Sequence, residues 1–292
     1  NGVEKASKIM MPVLAVLALG VAVYSVTRPG ALDGVKYYLI PDFSRFSPMT
    51  VLAAMGQLFY SMSLAMGIMV TYGSYMKKED DLEKSVKQIE LFDTGMAFVA
   101  GMMIVPAVFA FSGGDEAALN KGAGLMFVTL PKVFADAGTL GLIFGGVFFV
   151  LVLFAALTSS VSLMETVVSI FQDKFHWSRK KTCGLVLVGC LVLAAPSSLG
   201  YGALSWISIL GLSVLDFFDF ITNSVMMPIV AFCTCVFVGY VVKTKTVVDE
   251  VKRSSPFKRE KLFVVMIKYV APVCIVLILV SSILDTLGVI HI

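Results

Sequence analysis

Charged residues are scarce in this sequence. Asp, Glu, Lys and Arg make up 15% of its 292 residues, against roughly 25% in a soluble domain. Histidine is rarer still: the only two, His176 and His291, are far apart, which excludes a histidine-built metal centre. The five cysteines (Cys183, Cys190, Cys233, Cys235, Cys274) lie in or at the edge of apolar runs with no metal-ligand spacing, so they read as small packing residues. There is no HExxH, no phosphate-binding lysine in a glycine loop, no elbow serine and no redox cysteine pair. These absences argue against hydrolase or redox chemistry, and an enzyme is not expected. The net charge is only +3 and its basic residues sit between apolar runs, so a nucleic-acid partner is not expected either. The chain has no initiator Met and opens at Asn1-Gly2-Val3-Glu4-Lys5. It enters an apolar run within ten residues, which reads as a cut inside a longer protein.

What is abundant is hydrophobicity, 58% of the residues. A soluble protein this apolar would expose large adhesive surfaces, so the fold class expected is an all-α membrane protein in a lipid bilayer. Long apolar runs, rather than alternating ten-residue strands, disfavour a β-barrel. Seven runs are legible, at about 9–27, 49–76, 88–111, 139–172, 182–196, 216–242 and 261–287. The fifth is expected to close at Pro196. Between the third and fourth, 112–137 is rich in Gly, Ala and Asp around Leu125-Met126-Phe127, which predicts a re-entrant or surface hairpin rather than a span. The fourth run is too long for a bilayer about 30 Å thick and must tilt or project from it.

Lys and Arg set the orientation. Lys5, Lys8, Lys77, Lys78, Lys84, Lys87, Lys174, Arg179, Lys180, Lys181 and the dense 243–261 loop fall on one side; Arg28, Lys36, Arg45, Lys121 and Lys132 fall on the other. The positive-inside rule makes the first side cytoplasmic. The N-terminal end is then cytoplasmic, the C-terminus extracellular or periplasmic, and the location the cell (inner) membrane.

Two runs are too polar for plain membrane helices. The second reads Gly56-Gln57-Leu58-Phe59-Tyr60-Ser61-Met62-Ser63-Leu64-Ala65-Met66-Gly67, followed by Thr71-Tyr72-Gly73-Ser74-Tyr75. A helix broken here would offer carbonyls to a cation and a helix N-terminus to an anion. Equally, the glycines suit close helix packing and the serines can bond back to their own helix. In the fourth, Ala155, Thr158, Ser159 and Leu163 share one face. Hydroxyls beside a backbone carbonyl are hard ligands suited to Na⁺, and the same small residues suit a packing face. Ionisable groups inside spans also stand out: Asp93, Glu165, Asp173, Asp216 and Asp219. Interfacial or capping roles fit several of them as well.

Together these stretches resemble the neurotransmitter:sodium symporter family. The second run resembles its sixth helix, Ala155 to Ser160 the sodium-site motif of its eighth, and Leu215-Asp216-Phe217-Phe218-Asp219 the start of its tenth. Pro12 with Pro29-Gly30 and Asp33-Gly34 resembles its fifth helix and the following loop. The resemblance runs in order from the fifth helix to an eleventh, as in many bacterial members. It implies part of an inverted-repeat transporter fold with one discontinuous helix and about seven transmembrane helices. On that pattern 1–27 is a first membrane helix, 28–48 an extracellular loop, and 49–242 the second inverted repeat of five helices, broken at about 63–67. A cytoplasmic loop at 243–260 and a final helix at 261–292 complete it.

The resemblance also implies roles. Ser61 and Asp93 match ligands of one sodium ion, and Ala155, Thr158 and Ser159 match ligands of a second. Tyr60, Ser61, Ser63, Met66, Met69, Ser159 and Leu163 match the substrate pocket, with Tyr60 as its outer lid. Asp219, with Gln57 nearby, matches an outer gate. Asp173, supported by Tyr75, matches an inner gate whose arginine would lie upstream of Asn1. This sequence departs from the family in having Ala65-Met66-Gly67 where Gly-X-Gly is usual. It also has Met96 or Ala97 where chloride-dependent members have serine, so chloride dependence is not expected. The implied function is sodium-coupled symport of an amino acid by alternating access, and the apolar pocket positions favour a hydrophobic or aromatic one. The alternative is a non-transporting membrane fragment that needs a separate N-terminal half, since missing N-terminal helices would supply half of each site.

Overall fold

The computed structural model describes residues 2–115, 119, 124–136, 138–200 and 202–286, with the side chains of 2–7 and 136 left aside. Lys121 and His291 lie outside the described residues, as does part of the hairpin expected at 112–137. In chain order the helices are α1 (Gly2–Val26), α2 (Ala31–Leu39), α3 (Pro48–Ser61), α4 (Ile68–Ser74), α5 (Leu82–Ser112), α6 (Leu130–Asp136) and α7 (Gly138–Phe175). Then come α8 (Arg179–Leu199), α9 (Val214–Asp219), α10 (Met227–Val236), α11 (Thr244–Val251), α12 (Glu260–Val265) and α13 (Ala271–Thr286). Wider π-turns at Phe220–Met226, Phe237–Val241 and Met266–Val270 extend α9–α10 and join α12 to α13. Another, Leu125–Thr129, leads into α6.

Among the described residues, six helical rods are long and apolar enough to cross a membrane: Lys8–Val26, Leu82–Ser112, Gly138–Phe175, Arg179–Leu199, Val214–Val241 and Glu260–Thr286. The remaining apolar run is divided between α3 and α4. Among the described residues there is no strand, only a tight reversal pairing Ile209 with Leu212 through Leu210 and Gly211, both at positive φ. The outward faces are apolar. On α8, Leu187, Val188, Leu191 and Val192 are all exposed, Val192 by 65%, a surface that suits lipid and not water.

One expected boundary is corrected. α8 does not close at Pro196 but continues to Leu199. Proline disrupts the turn before it, and the carbonyl of Pro196 still accepts from the backbone N–H of Gly200 at 2.9 Å, so the last turn survives. Around Leu125-Met126-Phe127, the described part of 112–137 is a short apolar helix, Leu125–Ala135.

The residues pack into two units, 1–45 with 91–161 and 46–90 with 162–292. In the first, Ala18, Val21 and Ala22 of α1 form a core with Met103 and Val108 of α5, Leu130 and Phe134 of α6, and Phe148 and Leu151 of α7. Tyr24 stacks on Phe144 at 3.7 Å between centroids and carries the Arg28 guanidinium 4.4 Å from its ring centre. Gly34 of α2 lies so close to α5 that a Cβ would come within 2.8 Å of the Pro106 Cα, so any side chain there would part the two helices. In the second unit, Ala231 and Cys235 of α10 pack on Ile275 of α13, with Phe59 of α3 and Ala65 against them. Cys235 is thus a core packing residue.

Candidate functional site: a broken helix beside a hydroxyl-lined one

α3 begins with full capping. Ser47 accepts from the backbone N–H of Thr50 while the Thr50 hydroxyl accepts from that of Ser47, and Pro48 fills the first turn. Its end is a Schellman turn. The Leu64 N–H reaches back to the Phe59 carbonyl at 2.9 Å and the Ser63 N–H to the Tyr60 carbonyl at 3.0 Å. That turn needs a left-handed residue, and Ser63 supplies it at φ 53. Ala65 at φ 61 and Gly67 at φ 79 come next. Glycine takes this conformation freely; for serine and alanine it costs about 1–2 kcal/mol each. The helix resumes at Ile68, where the Thr71 N–H bonds the Gly67 carbonyl at 3.0 Å. Residues 62–67 thus leave the regular helical ladder, and the ends of α3 and α4 turn their carbonyls and N–H groups toward other partners.

Within the second unit, α4 lies along the 162–166 stretch of α7. The Tyr72 hydroxyl donates to Ser162 Oγ at 2.8 Å and the Tyr75 hydroxyl to Glu165 Oε1 at 3.0 Å. A Cβ on Gly67 would meet Thr166 Cγ2 at 3.1 Å. Glu165 also takes a two-pronged hydrogen bond from the Arg179 guanidinium at the start of α8. The Glu165 side chain is 11% exposed and that of Arg179 55%. One carboxylate therefore braces three helices through charge-assisted bonds. Tyr75, which the family resemblance makes a support of Asp173, gives its hydroxyl to Glu165. Asp173 is exposed near the end of α7.

Tyr60, Ser61, Ser63, Met66 and Met69 stand at or beside the break, and Leu163 on α7, all in the second unit. Gln57 is exposed one turn before Tyr60. Ala155, Thr158 and Ser159 lie on α7 and Asp93 on α5, in the first unit. Along α7 the hydroxyls are satisfied by its own carbonyls: Thr158 Oγ1 to Ala155 O at 2.9 Å, Ser160 Oγ to Ala156 O at 2.7 Å and Thr166 Oγ1 to Ser162 O at 3.0 Å. Ala155 O and Thr158 Oγ1 consequently sit side by side, with Ser159 next in the chain. This oxygen set fits a hard monovalent cation and no soft metal. Asp216 is tied into the cap of α9: Ser213 Oγ accepts from its N–H at 3.2 Å and donates to its carboxylate at 2.6 Å. Asp219 opens the π-turn and accepts from Asn223 Nδ2 at 2.5 Å.

Sequence reasoning flagged Glu165 as a charge within a span but missed its ties to Tyr75 and Arg179. The signal was there, since a carboxylate at that depth needs a partner and Arg179 begins the next apolar run.

Comparison with known proteins gives a consistent result. The chain is 33% identical to an uncharacterised sodium-dependent transporter of Haemophilus influenzae, over 97% of this chain and 61% of that protein. It is 32% identical to the uncharacterised sodium-dependent transporter YhdH of Bacillus subtilis, over 97% of this chain and 62% of that one. Among solved structures it is similar to MhsT in complex with L-phenylalanine, with a TM-score of 0.83 and 38% identity over 96% of this chain and 63% of that one. The chain thus spans somewhat over three-fifths of the length of these relatives. The model of the sodium:neurotransmitter symporter family matches residues 1–289. With a helix broken at 62–67 beside a hydroxyl-lined α7, and a match over nearly every residue, the chain belongs to the sodium:neurotransmitter symporter family.

Proposed function

We propose that this chain carries the second inverted repeat of a sodium-coupled symporter for a hydrophobic or aromatic amino acid. The observation that carries the reading is the pairing of Thr158 Oγ1 with Ala155 O on α7, a hard-oxygen edge suited to Na⁺, together with the helix break at 62–67. Sodium is cargo here and not a resident cofactor. Ala155, Thr158 and Ser159 take one ion; Ser61 and Asp93 contribute to a second. The substrate carboxylate is met by the break, and Tyr60, Met66, Met69 and Leu163 line the pocket for its side chain. The phenylalanine bound to MhsT supports an apolar or aromatic side chain in that pocket. Ion binding favours the ordered state of the break and so shifts the population toward substrate-competent forms. Asp219 with Gln57 serves the outer gate, and Asp173 the inner one. The chain is oriented with its Lys- and Arg-rich loops in the cytoplasm.

The test is uptake by the full-length protein in liposomes. Labelled L-phenylalanine is expected to accumulate under an inward sodium gradient and not under choline. No sodium-stimulated uptake of any apolar amino acid would overturn the reading. Thr158→Ala combined with Ser159→Ala is expected to raise the half-saturating sodium concentration sharply. An unchanged sodium dependence would remove the α7 site from the mechanism.

A further inference from the structure

A lysine inside a membrane span calls for a reason. Lys268 lies in the last span, Glu260–Thr286, eight residues past its start and about 12 Å along the helix axis. Among the described residues no carboxylate pairs with it. Its position is built by two facing π-turns of the second unit, Phe237–Val241 and Met266–Val270. The lysine stem lies against Gly239: a Cβ there would stand in ordinary contact, 3.6 Å from Lys268 Cγ and 3.7 Å from Ile267 Cγ2. The Tyr240 hydroxyl donates to the Lys268 carbonyl at 3.0 Å, which pins the two turns together. Tyr240 and Tyr269 are 54% and 63% exposed, amphipathic rings of the kind that settle at the headgroup level. Phe237 and Val241 beside them are exposed and apolar.

The adjoining loop supplies charge. Residues 243–261 hold seven Lys and Arg against three carboxylates. Two of those carboxylates are already paired, Glu260 with Lys252 at 2.6 Å and Glu250 with Arg253 at 3.0 Å. The loop is held to the 77–84 turn by Ser255 Oγ donating to Asp81 at 2.9 Å and the Lys258 N–H donating to Glu83 at 3.3 Å. A cation on an apolar, tyrosine-edged ledge beneath a basic loop complements one ligand: a negative headgroup whose acyl chains lie on the ledge. A long lysine stem snorkelling toward the interface brings its ammonium to that depth.

We propose that the crossing of these two π-turns is a binding site for an anionic phospholipid of the leaflet facing the Lys- and Arg-rich loops, with Lys268 as its charged anchor. The test uses the full-length protein, stripped of lipid in detergent and titrated with phosphatidylglycerol or with phosphatidylcholine of the same chains, bound lipid being counted by native mass spectrometry. Wild type is expected to retain phosphatidylglycerol preferentially. Lys268→Met is expected to lower that retention about fivefold, the factor one basic residue near an anionic surface carries, while Lys268→Arg keeps it. Equal retention of the two lipids by wild type, or an undiminished preference in Lys268→Met, overturns the site. A photoactivatable phosphatidylglycerol on the unsubstituted protein gives an independent reading. Crosslinks within 237–241 or 266–270 are expected, and crosslinks confined elsewhere overturn it.

Discussion

Two stretches of this chain carry hydroxyls in mid-helix, and they behave in opposite ways. In α7 the run Thr158-Ser159-Ser160-Val161-Ser162 stays helical, with Thr158 and Ser160 returning their protons to carbonyls three and four residues back. Around Ser61 and Ser63 the helix ends in a left-handed turn and resumes only at Ile68. Hydroxyl content is therefore not what breaks a membrane helix. The difference lies in the residues downstream of the hydroxyls. α7 continues into Leu163-Met164-Glu165, good helix formers with no glycine, whereas Ser63 is succeeded within four residues by Ala65 and Gly67, each at positive φ. A Cβ on Gly67 would also press on Thr166 Cγ2 at 3.1 Å.

The comparison can be broken most forcibly at Gly67. Gly67→Val places a β-branched residue at φ 79 and drives its Cβ toward Thr166. About 3 kcal/mol of destabilisation is expected from the backbone and the overpacking together, read as a lower midpoint of thermal unfolding in detergent. A midpoint equal to wild type would show that the break does not depend on this glycine. Next in size is the brace between the two stretches. Glu165→Ala removes the acceptor of Tyr75 and Arg179. About 1–2 kcal/mol is expected, discounted for the exposure of Arg179, with faster hydrogen exchange in α4. Unchanged exchange would mean that α4 is held elsewhere.

A substitution in the opposite direction sharpens the contrast. Ala65→Gly relieves a left-handed alanine at φ 61. Relief of the backbone exceeds the extra chain entropy of glycine, so a gain of roughly 0.5–1 kcal/mol is expected. A lower midpoint would indicate that the packing of Ala65 against the α10–α13 core outweighs its backbone. The smallest effect is acid-dependent. The Lys84 backbone N–H, and after it the Ser255 hydroxyl, hold the Asp81 carboxyl below its ordinary value of 3.8. A carboxylate depressed in the folded state stabilises fully above that ordinary value and loses its contribution as pH falls through the folded one. Protection of the 243–260 loop from proteolysis is thus expected to hold at neutral pH and fall below about pH 4, and Asp81→Asn is expected to flatten that dependence.

Much of the architecture was legible in the sequence, because a membrane span announces itself by length and apolarity alone. The π-turns were not, since Phe220–Met226 or Met266–Val270 differ from α-helix only in hydrogen-bond offset and carry the same apolar composition. Ser63 was equally silent as the helix terminator, for nothing local marks a serine as left-handed; the nearby Gly67 drew attention instead. The Tyr75–Glu165 bond joins residues 90 apart in the chain, and no periodicity within one helix can report such a meeting. The oxygen pattern of Ala155, Thr158 and Ser159 was readable because i, i+3 and i+4 share a face in any helix. Whether that face binds or merely packs is not a property of spacing.

The broken helix also has a consequence during synthesis. α3 has 14 residues and α4 seven, about 21 Å and about 10 Å at 1.5 Å per residue, so neither crosses a hydrocarbon layer about 30 Å thick. When this stretch leaves the ribosome, the Ser162 and Glu165 that receive Tyr72 and Tyr75 are still 90 residues away. At 5–20 residues per second that is a wait of about 5–20 s. Through that interval α4 lacks the α7 hydroxyl and carboxylate that later hold it, and bare lipid penalises any peptide group left unpaired at 62–67. The Tyr72 and Tyr75 bonds that fasten α4 can therefore form only once α7 has been made.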